Sequence, residues 1–225
     1  MISLAEELLL LSWHDEKGTV LSSASMSLQY GLSGAVLMEL SLMGRLHIDK
    51  KNLVVVDATP TGDDILDEAL TIIKHSKRKR NAQYWVSKLS REIKNLKERL
   101  LNRLIHKGIL KKEEHRILWV FPSQRYPTED AKVEQEVRDG IRAIILDGKT
   151  PEPRMAVLIS LVNACNLVGE IFSREERKVA RKRVKEIAKS NLIGMAVSDT
   201  VAGIQVAISA AIAATVVASS SSSSC

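Results

Sequence analysis

The residues best suited to chemistry in this chain are cations, and the chemistry they suit is the holding of phosphate. Arg91, Lys94 and Lys97 recur every three residues in a stretch of helical pattern. On a helix they stay within about 120° of one another and form one basic stripe. Ile93, Leu96, Leu100 and Leu104 make the neighbouring apolar stripe. Lysine stems can lie along such apolar surface while their ammonium heads bind an anion. Periodicity alone describes a solvated helix face equally well. A second cluster, His75-Ser76-Lys77-Arg78-Lys79-Arg80, precedes the stripe. Each basic residue close to an anionic membrane contributes about 1 kcal/mol, so such a run can hold a protein at a surface. A third segment, Arg174 to Lys189, mixes its cations with Glu175, Glu176 and Glu186 and reads as solvated helix with internal pairs. The same charges also suit nucleic-acid phosphates. No nucleic-acid motif accompanies them and aromatics are 4% of residues, so specific nucleic-acid binding is not expected.

Catalysis finds little support. There is no P-loop, no GxSxG and no HExxH, and the five histidines show no metal spacing. Cys165 lies in an apolar run without a nearby partner. No catalytic residue, metal or cofactor is expected. Asp63, Asp64, Asp67 and Glu68 form an acidic cluster that helix caps and a wet helix face explain. The two cysteines, Cys165 and Cys225, make no disulfide framework, which points to a reducing compartment. The N-terminal stretch carries Glu6 and Glu7 and no basic region of the kind that opens a signal peptide. The expected location is cytoplasmic. A formal charge of +6 and a pI near 9.3 favour an anionic partner.

The elements that must position these residues read as helices. Leu, Ile, Val and Ala dominate a chain of 225 residues, enough for one domain with a sizeable core. Helices are expected over Leu4–Trp13, Tyr30–Met43, Asp63–His75, Asn81–Lys107, Asp130–Leu146, Arg154–Phe172, Ser173–Lys189 and Asp199–Ala218. Asp199–Ala218 approaches membrane-spanning length, but its alanines and its Gln205, Ser209 and Thr215 favour a core helix. Leu46–Asp49 and Leu53–Val56 read as a small hairpin. Ile109–Lys111 and Ile117–Phe121 read as another, turning at Glu113–His115. Its Leu118, Trp119 and Val120 are candidates for dimer contact or shallow membrane insertion. The fold class is all-α with one or two small hairpins: a single domain over 1–218, then a Ser-rich tail, 219–225, expected to be disordered.

Four blocks carry a resemblance: LAEELLLL (Leu4–Leu11), GLSGAVLMELSLMGRL (Gly31–Leu46), ATPTGDDILDEAL (Ala58–Leu70) and IKNLKERLLNRLIHKGIL (Ile93–Leu110). In this order and at these spacings they resemble the Golgi phosphoprotein 3 family, from about Leu4 to about Ala218. The resemblance implies apolar core helices wrapped by amphipathic ones, and a peripheral membrane protein that binds phosphatidylinositol 4-phosphate. Two basic residues of the family's lipid pocket match Lys94 and Lys97. A tryptophan of that pocket falls at Ala24 (or Ser23, with one gap) and an arginine at Ser33, so a less selective anionic-lipid surface is expected here, with Arg91 and Ser33 beside the two lysines. The resemblance also implies membrane and dimer contacts for the 109–121 hairpin. The alternatives are a helical adaptor that binds protein tails and a non-specific nucleic-acid-binding protein.

Overall fold

The computed structural model of the chain describes residues 2–117, 121–188 and 195–221. Among them are ten helices and three two-stranded antiparallel hairpins, the mainly helical class that the sequence predicts. The elements are α1 (Leu4–Leu11), β1 (Trp13–His14), β2 (Thr19–Val20), α2 (Leu28–Leu42), β3 (Leu46–Asp49), β4 (Asn52–Val55), α3 (Asp64–Lys74), α4 (Ala82–Glu92) and α5 (Leu96–His106). After them come β5 (Glu113–Ile117), β6 (Phe121–Arg125), α6 (Lys132–Leu146), α7 (Pro153–Ala164), α8 (Val168–Ile171), α9 (Arg177–Ala188) and α10 (Met195–Ser221).

The centre is α2, which is buried along most of its length and packs against α1, α3, α4, α7 and α10. Its two glycines explain why the Gly31 block reads as it does. A Cβ at Gly31 would lie 2.5 Å from Cys165 Sγ, and one at Gly34 would lie 2.3 Å from Ile208 Cδ1. The missing side chains let the end of α7 and the middle of α10 close on α2. The α1 helix starts with a capping box, in which Ser3 and Glu6 satisfy each other's backbone N–H groups. It buries Leu4 and Leu8 to Leu11.

The Pro-Thr-Gly-Asp turn opens α3. Gly62 has φ 83°, and the Asp63 carboxylate accepts from the N–H groups of Ile65 and Leu66. The acidic cluster caps as expected and also clamps α3 to α5. Arg103 donates to Asp63 at 2.7 Å and pairs with Asp64, while Arg99 pairs with Asp64 and Glu68. Partial burial alone would raise the Asp63 carboxyl. The Arg103 and backbone hydrogen bonds outweigh that and hold it below the usual range.

Several boundaries differ from the sequence reading. The long helix expected over Asn81–Lys107 is two helices, α4 and α5, broken at residues 93–95. Ile93 is extended (ψ 98°) and Asn95 is left-handed (φ 53°). The helix expected through Phe172 ends at Ala164, because Asn166 takes φ 58° and the chain turns into α8. The second large hairpin pairs Glu113–Ile117 with Phe121–Arg125, so its turn is not at Glu113–His115. Pro122 sits inside β6 opposite Arg116, which a two-stranded ribbon tolerates because each strand has a free edge. The β1–β2 pair was not anticipated. The last helix runs to Ser221 rather than Ala218. Its buried face (Val201, Ile204, Ala207, Ile208, Ala211) packs on α2 and α4, while Val206, Val216 and Val217 are exposed.

Candidate anion-binding site

The break between α4 and α5 places the candidate residues around a recess instead of along a stripe. Arg91 lies in the last turn of α4, Lys94 in the connecting turn and Lys97 in the first turn of α5. All three line a recess of about 680 Å³. Its opposite wall comes from β2 and the start of α2, with Val20, Leu28 and Leu32 as apolar lining and Ser25 and Gln29 as polar groups. The Gln29 side-chain amide donates to Ser90 O at 2.8 Å and ties the two walls together.

Three features make this recess electropositive. Lys94 is exposed and has no ion-pair partner among the described residues. Arg91 donates from Nε to Ser87 O at 3.0 Å, which holds the guanidinium near the rim without neutralising it. The N-terminus of α5 also opens here: Asn95, in the N-cap position, makes no side-chain cap, so the first-turn N–H groups keep their partial positive charge. Among the described residues that line the recess only Glu98 opposes, paired to Lys97 at 3.4 Å across exposed surface. Cations, an uncapped helix start and an apolar floor suit an amphipathic anion, whose charged head meets the rim and whose apolar part meets the floor.

Ser33 does not belong to this site. It is fully buried, and its hydroxyl donates to Tyr30 O and Val86 O, both at 3.0 Å, so it has nothing to offer a ligand. Ala24 is likewise buried, and Gly34 faces α10. One turn earlier on α2, Gln29 stands in the place expected of Ser33; as a polar residue four positions before Ser33, it was the available signal. Leu118, Trp119 and Val120 lie outside the described residues. The Cys165 thiol is buried and its pKa is pushed up to about 12 by burial, which leaves it inert. Among the described residues no group of three or more His, Cys, Asp or Glu converges as a metal site.

The chain resembles known proteins over most of its length. The family model for Golgi phosphoprotein 3 (GPP34) matches residues 4–204. The vacuolar protein sorting-associated protein 74 of Schizosaccharomyces pombe is 28% identical over 224 residues, covering 83% of this chain and 66% of the relative. The protein of the same name from Eremothecium gossypii is 27% identical over 165 residues, 64% of this chain and 49% of the relative. The chain thus spans between about half and two thirds of these relatives' length. With a match over residues 4–204, the chain belongs to the Golgi phosphoprotein 3 family.

Proposed function

We propose that this protein is a peripheral membrane protein that binds anionic phospholipid headgroups in the recess between α2 and the α4–α5 junction, and that it is not an enzyme. The observation that carries the reading is the convergence of Arg91, Lys94, Lys97 and the uncapped start of α5 on one recess with an apolar floor. Family resemblance makes phosphatidylinositol 4-phosphate the first lipid to consider. With Ala24 and Ser33 both buried, the α2 side of the recess lacks the arginine and tryptophan of the family pocket. The rim is therefore built for charge more than for one headgroup. The location that follows is the cytosolic face of a membrane, the Golgi in a cell that has one, with self-association through the β5–β6 hairpin.

Liposome flotation tests this. Binding to phosphatidylcholine vesicles should be negligible, and it should appear with phosphatidylserine and with phosphatidylinositol 4-phosphate. It should fall steeply as salt shortens the Debye length to ~3 Å near 1 M. Binding that ignores salt but demands the 4-phosphate would refute the charge-dominated reading. Binding to none of the vesicles would refute the lipid role.

A further inference from the structure

Glu134, in the first turn of α6, is 3% exposed, and its two carboxyl oxygens are served differently. Oε1 accepts from Arg138 Nε at 2.6 Å. Oε2 is buried and has no hydrogen-bond partner in the protein. Ionised, an oxygen in that state is strongly unfavourable, because burial removes the water that would serve it. Beyond Arg138, the side chain within hydrogen-bonding reach of the Glu134 carboxyl is another carboxylate, Asp15, in the β1–β2 turn. Two carboxylates in contact repel unless one of them holds a proton. Asp15 is exposed and already accepts from the Thr128 hydroxyl at 2.7 Å, so the buried partner is the one that is protonated.

We propose that a proton on Glu134, donated to the Asp15 carboxylate, is a latch that fastens the β1–β2 turn to α6, and that its loss frees this turn together with the base of the β5–β6 hairpin. The turn and the hairpin base form one unit. Thr128 N donates to Asp15 O at 3.1 Å, Tyr126 N to Gly18 O at 3.0 Å and Trp13 Nε1 to Tyr126 O at 2.8 Å. The packing is backbone on backbone: Gly18 has φ 58°, and a Cβ there would lie 2.3 Å from Tyr126 N. Whatever loosens Asp15 therefore loosens residues 126–128. Val20, in the β2 strand of the same hairpin, lines the α4–α5 recess, so the latch also steadies that wall. The inference does not depend on what the recess binds.

The surrounding charges set the sign. Burial pushes the Glu134 carboxyl up to about 7 against the pull of Arg138, and Asp15 adds to the rise. His14 and Lys17 share the turn with Asp15. The helices α1, α7 and α9 also pack on α6. Glu6 and Glu7 of α1 pair with Lys107 and with Arg154 of α7, and Glu186 of α9 pairs with Arg183. The cations Lys178, Arg181, Lys182 and Lys185 of α9 are exposed. Glu134 thus binds its proton more tightly with the latch closed than open. Opening grows about tenfold per pH unit from the ordinary carboxyl value of 4.5 to about 7, then levels off.

The test is amide hydrogen exchange of the full chain by NMR from pH 4.5 to 8. It is run in EDTA, so that no divalent cation takes the proton's place, and corrected for the intrinsic pH dependence of exchange. The reporters are the Thr128 and Tyr126 amides, which bond into the turn. The Leu37 amide, within α2, reports global unfolding. In the unaltered protein the reporters should open more often than Leu37, and their opening constants should rise about a hundredfold across the range, mostly below pH 7. Glu134→Gln keeps a donor for Asp15 at every pH and should remove the rise. Asp15→Asn offers Glu134 an amide donor and should shrink it. Both replacements are close in size, and circular dichroism checks the fold. Histidine ordinarily titrates in this window, so His14→Gln is the control and should keep the rise. A flat profile in the unaltered protein overturns the proposal, as does a rise that survives undiminished in Glu134→Gln or Asp15→Asn. Loss of the rise in His14→Gln also overturns it. So do opening constants equal to that of Leu37 at every pH, because the whole fold would then be responding.

Discussion

Reversing Lys94 and Lys97 together should abolish binding to acidic vesicles while leaving the fold intact. Each basic residue near an anionic surface is worth about 1 kcal/mol. Replacing two attractions with two repulsions removes about 4 kcal/mol, or roughly a thousandfold in the partition coefficient at low salt. The structural cost is small. Lys94 is exposed without an ion pair among the described residues, and the Lys97–Glu98 contact is 3.4 Å long between side chains 42% and 53% exposed. Such exposed pairs contribute roughly 0–1 kcal/mol. A glutamate at position 97 also sits in the first turn of α5, where negative charge is favourable, so the thermal midpoint should hardly move. The assay is flotation with phosphatidylcholine–phosphatidylserine vesicles, with thermal unfolding measured in parallel. The control is the same reversal on α9. Arg177 is unsuitable there, because its guanidinium donates to Gly169 O at 2.8 Å and to Phe172 O at 3.3 Å. Arg181→Glu with Lys182→Glu uses two exposed residues instead. Equal losses in the two doubles would mean that only net charge matters and that the recess is not a site. An unimpaired Lys94/Lys97 double would reduce this rim to solvated surface.

Three further outcomes follow from packing, backbone and burial. Gly34→Ala gains helix propensity but drives a Cβ to 2.3 Å from Ile208 Cδ1 and 2.6 Å from its Cγ1, so it should destabilise by about 1–2 kcal/mol in urea unfolding; a stabilised variant would show that α10 yields easily. Asn95→Gly should be near neutral and Asn95→Val should cost about 1–2 kcal/mol, because Asn95 sits at φ 53°; equal stabilities would mean that the junction is not held left-handed. Burial pushes the Glu7 and Glu134 carboxyls up to about 7 against the opposing pull of Arg154 and Arg138. Each then binds its proton more tightly folded than unfolded, so stability is full below about pH 4.5 and falls as pH rises through about 7. Glu134→Gln should flatten part of that decline in urea midpoints measured across the window, and an unchanged slope would mean that Glu134 is already ionised.

The fold was legible where one local signal had one meaning. The α3 start could be read from turn chemistry followed by Asp63, and the carboxylate caps Ile65 and Leu66 as such a sequence demands. The helix expected from Ser173 begins at Arg177, after a turn in which Ser173 N donates to Glu176 at 2.9 Å. Hairpin β5–β6 failed for the opposite reason. ILWVF is one apolar β-rich run, and nothing in its composition says that strand pairing resumes at Phe121 after Ile117. Register in a two-stranded ribbon depends on where the turn closes, which hydrophobic content does not encode.

The α4–α5 break was hidden by the pattern that made the helix readable. Leu89, Ile93, Leu96 and Leu100 keep helical spacing straight through the junction, and all four are buried on both sides of it. A chain can hold that spacing while one residue turns left-handed, provided the residue is one of the few that accept φ > 0. Asn95 was the single clue. The break changes the chemistry. On an unbroken helix, Arg91, Lys94 and Lys97 would stand side by side on a convex face, and every first-turn N–H would be spent within the helix. Broken at Asn95, the same residues surround a recess of about 680 Å³ and an uncapped helix start aims into it. Identity and spacing told which side chains are cationic and roughly where. Concavity, which separates a binding site from a solvated face, came from one backbone torsion that no periodicity records.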